Sequence, residues 1–149
     1  RRWLGAHVAI HSAPFGPVGA LDPIPSYRLA AGTALPGVPA LRRLWAPAVT
    51  AALAAATPSF VLDLRSEAYV ALGPVPAGLP ATYVRVVTEG RDGVVRALNH
   101  FNKHAKGELV RRLAVERPRI GSVGALRRWA DRSGIVFRDG AAGELQLVV

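Results

Sequence analysis

Residues 82–100 constrain the fold of this chain more than any other stretch. Thr82-Tyr-Val-Arg-Val-Val-Thr-Glu89 alternates apolar and polar residues, Gly90-Arg-Asp-Gly93 has turn chemistry, and Val94-Val-Arg-Ala-Leu-Asn-His100 alternates back. A period of two on both sides of a glycine-flanked turn predicts a β-hairpin. The second strand runs straight into a helical pattern, Gly107-Glu-Leu-Val-Arg-Arg-Leu-Ala-Val, with its end near Glu116 because Pro118 follows. The hairpin therefore delivers the chain to a strand-to-helix junction.

That junction reads His100-Phe-Asn-Lys-His-Ala-Lys-Gly107 and holds both lysines of the chain, Lys103 and Lys106, against seventeen arginines elsewhere. Lysine offers a compact ammonium with an adjustable pKa, whereas arginine is a planar fork that stays charged. At i, i+3 the two lysines are expected on one helix face, with Asn102 as N-cap. Cations in a first turn oppose the helix dipole at a cost of roughly a few tenths of a kcal/mol each. An anion held at that end would reverse the sign. The alternative is a solvated basic face. His100, His104 and Glu108, spaced four and four, could put three ligand types along one helix face, unless His100 ends the strand and never joins it. No metal and no cofactor is expected.

Charge is unevenly placed. Residues 85–138 hold thirteen of the nineteen basic residues against five of the ten acidic ones, and the whole chain carries +9. Such a half suggests nucleic acid, a nucleotide or another polyanion as partner; an arginine-rich surface without a partner is the competing reading. The absence of cysteine excludes disulfides, thiolate metal sites and thiol-based peroxide chemistry. The most apolar stretch, residues 46–62, is interrupted by Pro47, Thr50, Thr57, Pro58 and Ser59, so a buried helix and strand are expected there and no membrane span. The length suits a single domain over residues 1–149 with a real core. The opening Arg1-Arg2-Trp3, with neither methionine nor a signal-peptide pattern, suggests part of a longer protein.

Elsewhere, residues 3–12 read as a buried strand and the proline-rich residues 13–26 as an extended loop leading to Tyr27 and Arg28. On a strand, His7 and His11 do not have ligand geometry. Pro39–Trp45 reads as a short helical piece with Leu41, Leu44 and Trp45 inward. Pro47 either starts a second piece or kinks one longer helix. Phe60–Leu64 is a core strand ending at Arg65-Ser66, with Ser66 placed to cap a short helix; a strand running into a polar helix start is a common ligand position. Asp63 within that strand is expected to be paired or near an exposed end. Residues 74–80 are a linker, Ser122 caps a helix over Val123–Arg132 that ends at Gly134, and residues 135–149 close as a hairpin.

Taken in order, Ser12-Ala-Pro-Phe-Gly16, Leu21-Asp22, Tyr27-Arg28-Leu29-Ala-Ala-Gly32, Leu44-Trp45, Val49-Thr50, Leu62-Asp-Leu-Arg-Ser66, Tyr69 and the lysine motif resemble the C-terminal part of the YaaA peroxide-stress family, most closely its actinobacterial branch. The resemblance spans nearly the whole chain. It implies an α/β fold, a central mixed β-sheet flanked by helices, with the N-terminal portion of the family fold missing. It also implies a basic cleft and cytoplasmic protection against hydrogen peroxide by lowering free iron and binding DNA. Gly19-Ala20 stands where the family usually has arginine-proline, and Ala68 where it has an acidic residue. The helix-hairpin-helix element associated with the family lies upstream of these residues, so the resemblance implies that DNA contact by this chain falls to its own basic cleft.

Two function classes follow. In the first, a peroxide-stress protein binds DNA or another polyanion through Arg28, Lys103, Lys106 and Arg111, in a cleft lined by Ser12, Tyr27, Ser66 and Asn102, with little base readout because no recognition motif is present. In the second, the same cleft is that of an enzyme acting on a phosphorylated or nucleotide-like molecule, with a lysine crowded by its neighbour as base. No Ser-His-Asp order, phosphate-loop glycine pattern or paired carboxylates name a reaction.

Overall fold

The computed structural model describes residues 1–89, 95–97 and 102–149, with residues 95–97 by their backbone alone. The chain forms two compact units, Arg1–Pro58 with Arg65–Leu79, and Ser59–Leu64 with Pro80–Val149.

The first unit opens with a short helix, α1 (Arg2–His7), where a buried strand is expected from the sequence. The i, i+4 spacing of Trp3 and His7 decides this: the rings stack at 4.7 Å, and His7 Nδ1 bonds the Trp3 carbonyl at 2.9 Å. Only β1 (Ala9–Ser12) is extended, and its Ala9 and Ile10 are exposed, so the stretch is not a core strand. It pairs antiparallel with β2 (Gly16–Gly19), a strand inside the expected loop, where Pro17 sits on a two-stranded ribbon with an open edge. Residues 20–40 are irregular, and α2 (Leu41–Ala56) is one helix with Pro47 inside it. Only Leu41 and Val49 of α2 are buried, and Leu44 is 48% exposed rather than inward. Its alanine run is largely exposed, which alanine tolerates because its helix propensity needs no burial. The small core is Ala13, Leu41 and Leu72, flanked by Leu29, Trp45 and Tyr69. Trp45 Nε1 donates to the Ala13 carbonyl at 2.8 Å. Gly73 is required by a close approach: a Cβ there would stand 2.1 Å from Val49 Cγ1. The unit also contains the four-residue helix α3 (Glu67–Val70).

The second unit is built on β4 (Ala81–Glu89). One edge of β4 pairs in parallel with β3 (Val61–Asp63) near its start and antiparallel with β5 (Val95–Ala97) near its end. The other edge pairs in parallel with β7 (Glu144–Val148), which pairs antiparallel with β6 (Phe137–Asp139). This is an α/β unit with a mixed sheet, as expected. The pairing of β4 with β5 supports the predicted hairpin; its turn lies outside the described residues. Helices α4 (Asn102–Glu116) and α5 (Val123–Arg132) complete the unit with the expected spans. Val84, Val86, Leu145 and Leu147 are buried on one sheet face, and Leu109, Leu113, Leu126 and Trp129 are buried on the helices. Each such side chain contributes about 1.5–3 kcal/mol when removed from water. Ser122 Oγ accepts the Ala125 N–H at 3.2 Å, and Gly134, at φ +66°, turns the chain out of α5. No helix among the described residues is long and apolar enough to cross a membrane.

Candidate functional site

Of the residues singled out in the sequence, Ser12, Tyr27, Arg28 and Ser66 belong to the first unit, and Asn102, Lys103, Lys106 and Arg111 to the second. In the first unit Ser12 closes β1 and is 1% exposed; its Oγ accepts the Phe15 N–H at 3.3 Å and shapes the turn into β2. Phe15 in turn meets Tyr27 edge to face at 5.8 Å. Arg28 is exposed on the irregular segment. Ser66 occupies the N-cap position of α3, but its side chain makes no capping bond; its carbonyl receives the Tyr69 and Val70 N–H groups instead.

Three residues not marked as candidates, Arg65, His11 and Tyr69, come together in this unit. Arg65 Nη1 donates to His11 Nδ1 at 3.0 Å and to the Gly73 carbonyl at 2.9 Å. An arginine can only donate, so the His11 imidazole carries its proton on Nε2. Tyr69 meets His11 edge-on at 5.7 Å, and burial, then the nearby Tyr27, push its hydroxyl above the usual tyrosine range. The sequence signal for this cluster is Arg65 at the exit of a strand, two residues beyond buried Asp63.

In the second unit the two lysines share a helix turn but not an environment. The buried stripe of α4 is Ala105, Lys106, Leu109 and Leu113. Lys106, 7% exposed, lies at its border, and Lys103 falls one step past that border into solvent. Lys106 Nζ stands 4.9 Å from the centroid of the Tyr83 ring on β4, and the Arg85 guanidinium is 5.7 Å from the same ring. Arg85 Nε is shared between the two oxygens of Glu144, at 3.1 and 3.0 Å. A cation over an aromatic face gains about 0.5–2 kcal/mol, more where water is excluded. The hydrocarbon stem of Lys106 meanwhile fills part of the apolar stripe.

Asn102 does not cap α4: it is the first helical residue, and its Oδ1 is buried without a hydrogen-bond partner among the described residues. Arg111 is held by Glu108, Nε to Oε2 at 2.8 Å and Nη2 to Oε1 at 2.6 Å, and this fork keeps the Glu108 carboxyl below its ordinary range. Glu108 is thus engaged by a cation, His104 is exposed, and His100 lies outside the described residues. The sequence did not mark Tyr83 and Arg85, although their i, i+2 spacing on a strand puts both on one face.

Known proteins resemble the chain along most of its length. The profile of the family described as "Peroxide stress protein YaaA" matches residues 1–139. A UPF0246 protein of Corynebacterium efficiens is 42% identical over 95% of this chain and 59% of its own length. A UPF0246 protein of Corynebacterium glutamicum is 38% identical over 89% of this chain and 54% of its own. One of Streptomyces coelicolor is 38% identical over 76% of this chain and 44% of its own. The chain thus spans about half the length of the curated relatives it matches.

Proposed function

We propose, from the premise that this chain belongs to the YaaA family of peroxide stress proteins, that it serves in cytoplasmic peroxide protection by binding DNA or another polyanion and limiting iron-driven oxidative damage. The supporting observation is charge: the second unit carries thirteen basic residues against eight acidic ones. Ion pairing within that unit leaves a positive surplus, and a phosphate backbone is its natural complement. In their own units Arg28 and Lys103 are exposed cations that suit the same partner. Cations docking on DNA release its condensed counterions, Fe²⁺ among them, so damage falls without the protein itself holding iron.

Nicking of supercoiled plasmid by Fe²⁺ and hydrogen peroxide tests this reading. The chain at saturating concentration is expected to preserve the supercoiled form at low salt and to lose that effect as salt displaces it. An unchanged nicking rate at low salt would overturn the proposal.

A second reading, an enzyme acting on a phosphorylated or nucleotide-like molecule, is favoured by the buried amine of Lys106 beside Tyr83. It predicts calorimetrically detectable binding of a nucleoside monophosphate that Lys106→Ala abolishes; binding indifferent to that substitution would remove Lys106 from any such site.

A further inference from the structure

The ion pairs of the second unit sort its arginines. Arg85, Arg111, Arg112, Arg127 and Arg138 are each held by a carboxylate. Arg117, Arg119, Arg128 and Arg132 are exposed, and none of them has an acidic partner among the described residues. All four fall within residues 117–132, where Asp131 is the single acidic residue.

The fold brings Arg117, Arg128 and Arg132 to one corner. Glu116 Oε2 accepts from Trp129 Nε1 and from Ser133 Oγ, each at 2.7 Å, which ties the last residue of α4 to the final turn of α5. Arg117 follows Glu116 and Arg132 precedes Ser133, so both flank the same anchor. On α5 the buried stripe is Leu126, Trp129 and Ala130. At about 100° per residue, Arg128 stands on the opposite face and Arg132 to one side of it, four residues and about 6 Å of rise further along. Gly124 lies a turn earlier on that face, and Arg128 Nη1 reaches back to within 3.5 Å of where its Cβ would be, so the guanidinium lies along the helix.

We propose that this α4–α5 corner, rather than the lysine-bearing turn of α4, is the face that receives the phosphates of duplex DNA. The inference rests on the polyanion reading above and names its surface. Guanidinium forks spaced one helical turn apart can each grip a different phosphate with paired, charge-assisted hydrogen bonds. The lysine turn is poorer in charge without a carboxylate partner: Lys106 is buried against Tyr83, Arg111 is exposed but forked onto Glu108, and Lys103 is exposed.

The test is fluorescence anisotropy of a labelled duplex near 0.1 M NaCl, comparing the unaltered chain, the double variant Arg128→Ala/Arg132→Ala, and Lys103→Ala, with circular dichroism to check folding. One lost phosphate contact removes about 0.9 log units of affinity per decade of salt, so the double variant is expected to bind on the order of 10–60-fold more weakly and Lys103→Ala by less than about threefold. Arg128→Lys/Arg132→Lys keeps the charge but not the fork and is expected to recover only part of the loss. Normal binding by the double variant, or a larger loss from Lys103→Ala, overturns the assignment of the surface while leaving polyanion binding intact. No binding by the unaltered chain removes the functional reading itself, and this inference with it.

Discussion

Glu116 joins two helices through one carboxylate, and that makes its titration a structural event. The hydrogen bond from Ser133, then that from Trp129, with Arg112 adding less, hold its carboxyl below the ordinary 4.5. A depressed carboxylate contributes stability that is fully present above the unfolded value and is lost as pH falls through the folded one. Below about pH 4.5 the α4–α5 corner is therefore expected to loosen, with the indole N–H resonance of Trp129 shifting as its acceptor is protonated. Glu116→Gln should melt at a temperature that changes less across that range than the unaltered chain. An identical acid limb in both would deny Glu116 this role. Gly73 offers a steric counterpart. With Val49 2.1 Å from the position of an added Cβ, Gly73→Ala is expected to cost about 1–3 kcal/mol by overpacking, read from denaturant midpoints. At this scale the two lysines, expected from the sequence on one helix face, stand in different environments, Lys106 buried and Lys103 exposed. Spacing of i, i+3 fixes their separation around the helix, not the position of the buried stripe that passes beside one and misses the other.

At the scale of elements, α4 and α5 were legible because each carries both a period and a stop: Pro118 beyond the first, Ser122 and Gly134 around the second. Residues 1–40 have neither. Trp3 and His7 fold a helix through a ring stack, β2 forms across Pro17, and the rest is irregular, so an apolar run there did not identify a strand. Two predictions belong to α4. Gly107 sits within the helix, exposed, with open space where a Cβ would go, and Gly107→Ala is expected to stabilise by about 0.5–1 kcal/mol in chemical denaturation. The lysines should separate in the same assay: Lys103→Ala within about 0.5 kcal/mol of the unaltered chain, Lys106→Ala losing about 1–3 kcal/mol of buried stem and ring contact. Equal effects would mean that Lys106 does not belong to the stripe.

For the molecule as a whole, the division of charge coincides with a division of structure, since the basic half of the sequence falls within the second compact unit. Family membership was legible because short motifs recur in order along the chain, and order survives where fold prediction from local pattern fails, as in residues 3–26. The location of the available charge was not legible. It depends on which arginines meet carboxylates across strands, as Arg85 meets Glu144 and Arg138 meets Glu89, and register is not written in composition. Polyanion binding by the second unit is the claim on which the functional account stands. The decisive measurement is the slope of log K against log salt for the unaltered chain on duplex DNA between 50 and 200 mM NaCl. Engagement of about three to five cations predicts a slope near −2.7 to −4.5, or roughly a 40–500-fold loss of affinity over that range. A slope near zero, or no measurable complex at the lowest salt, would contradict it.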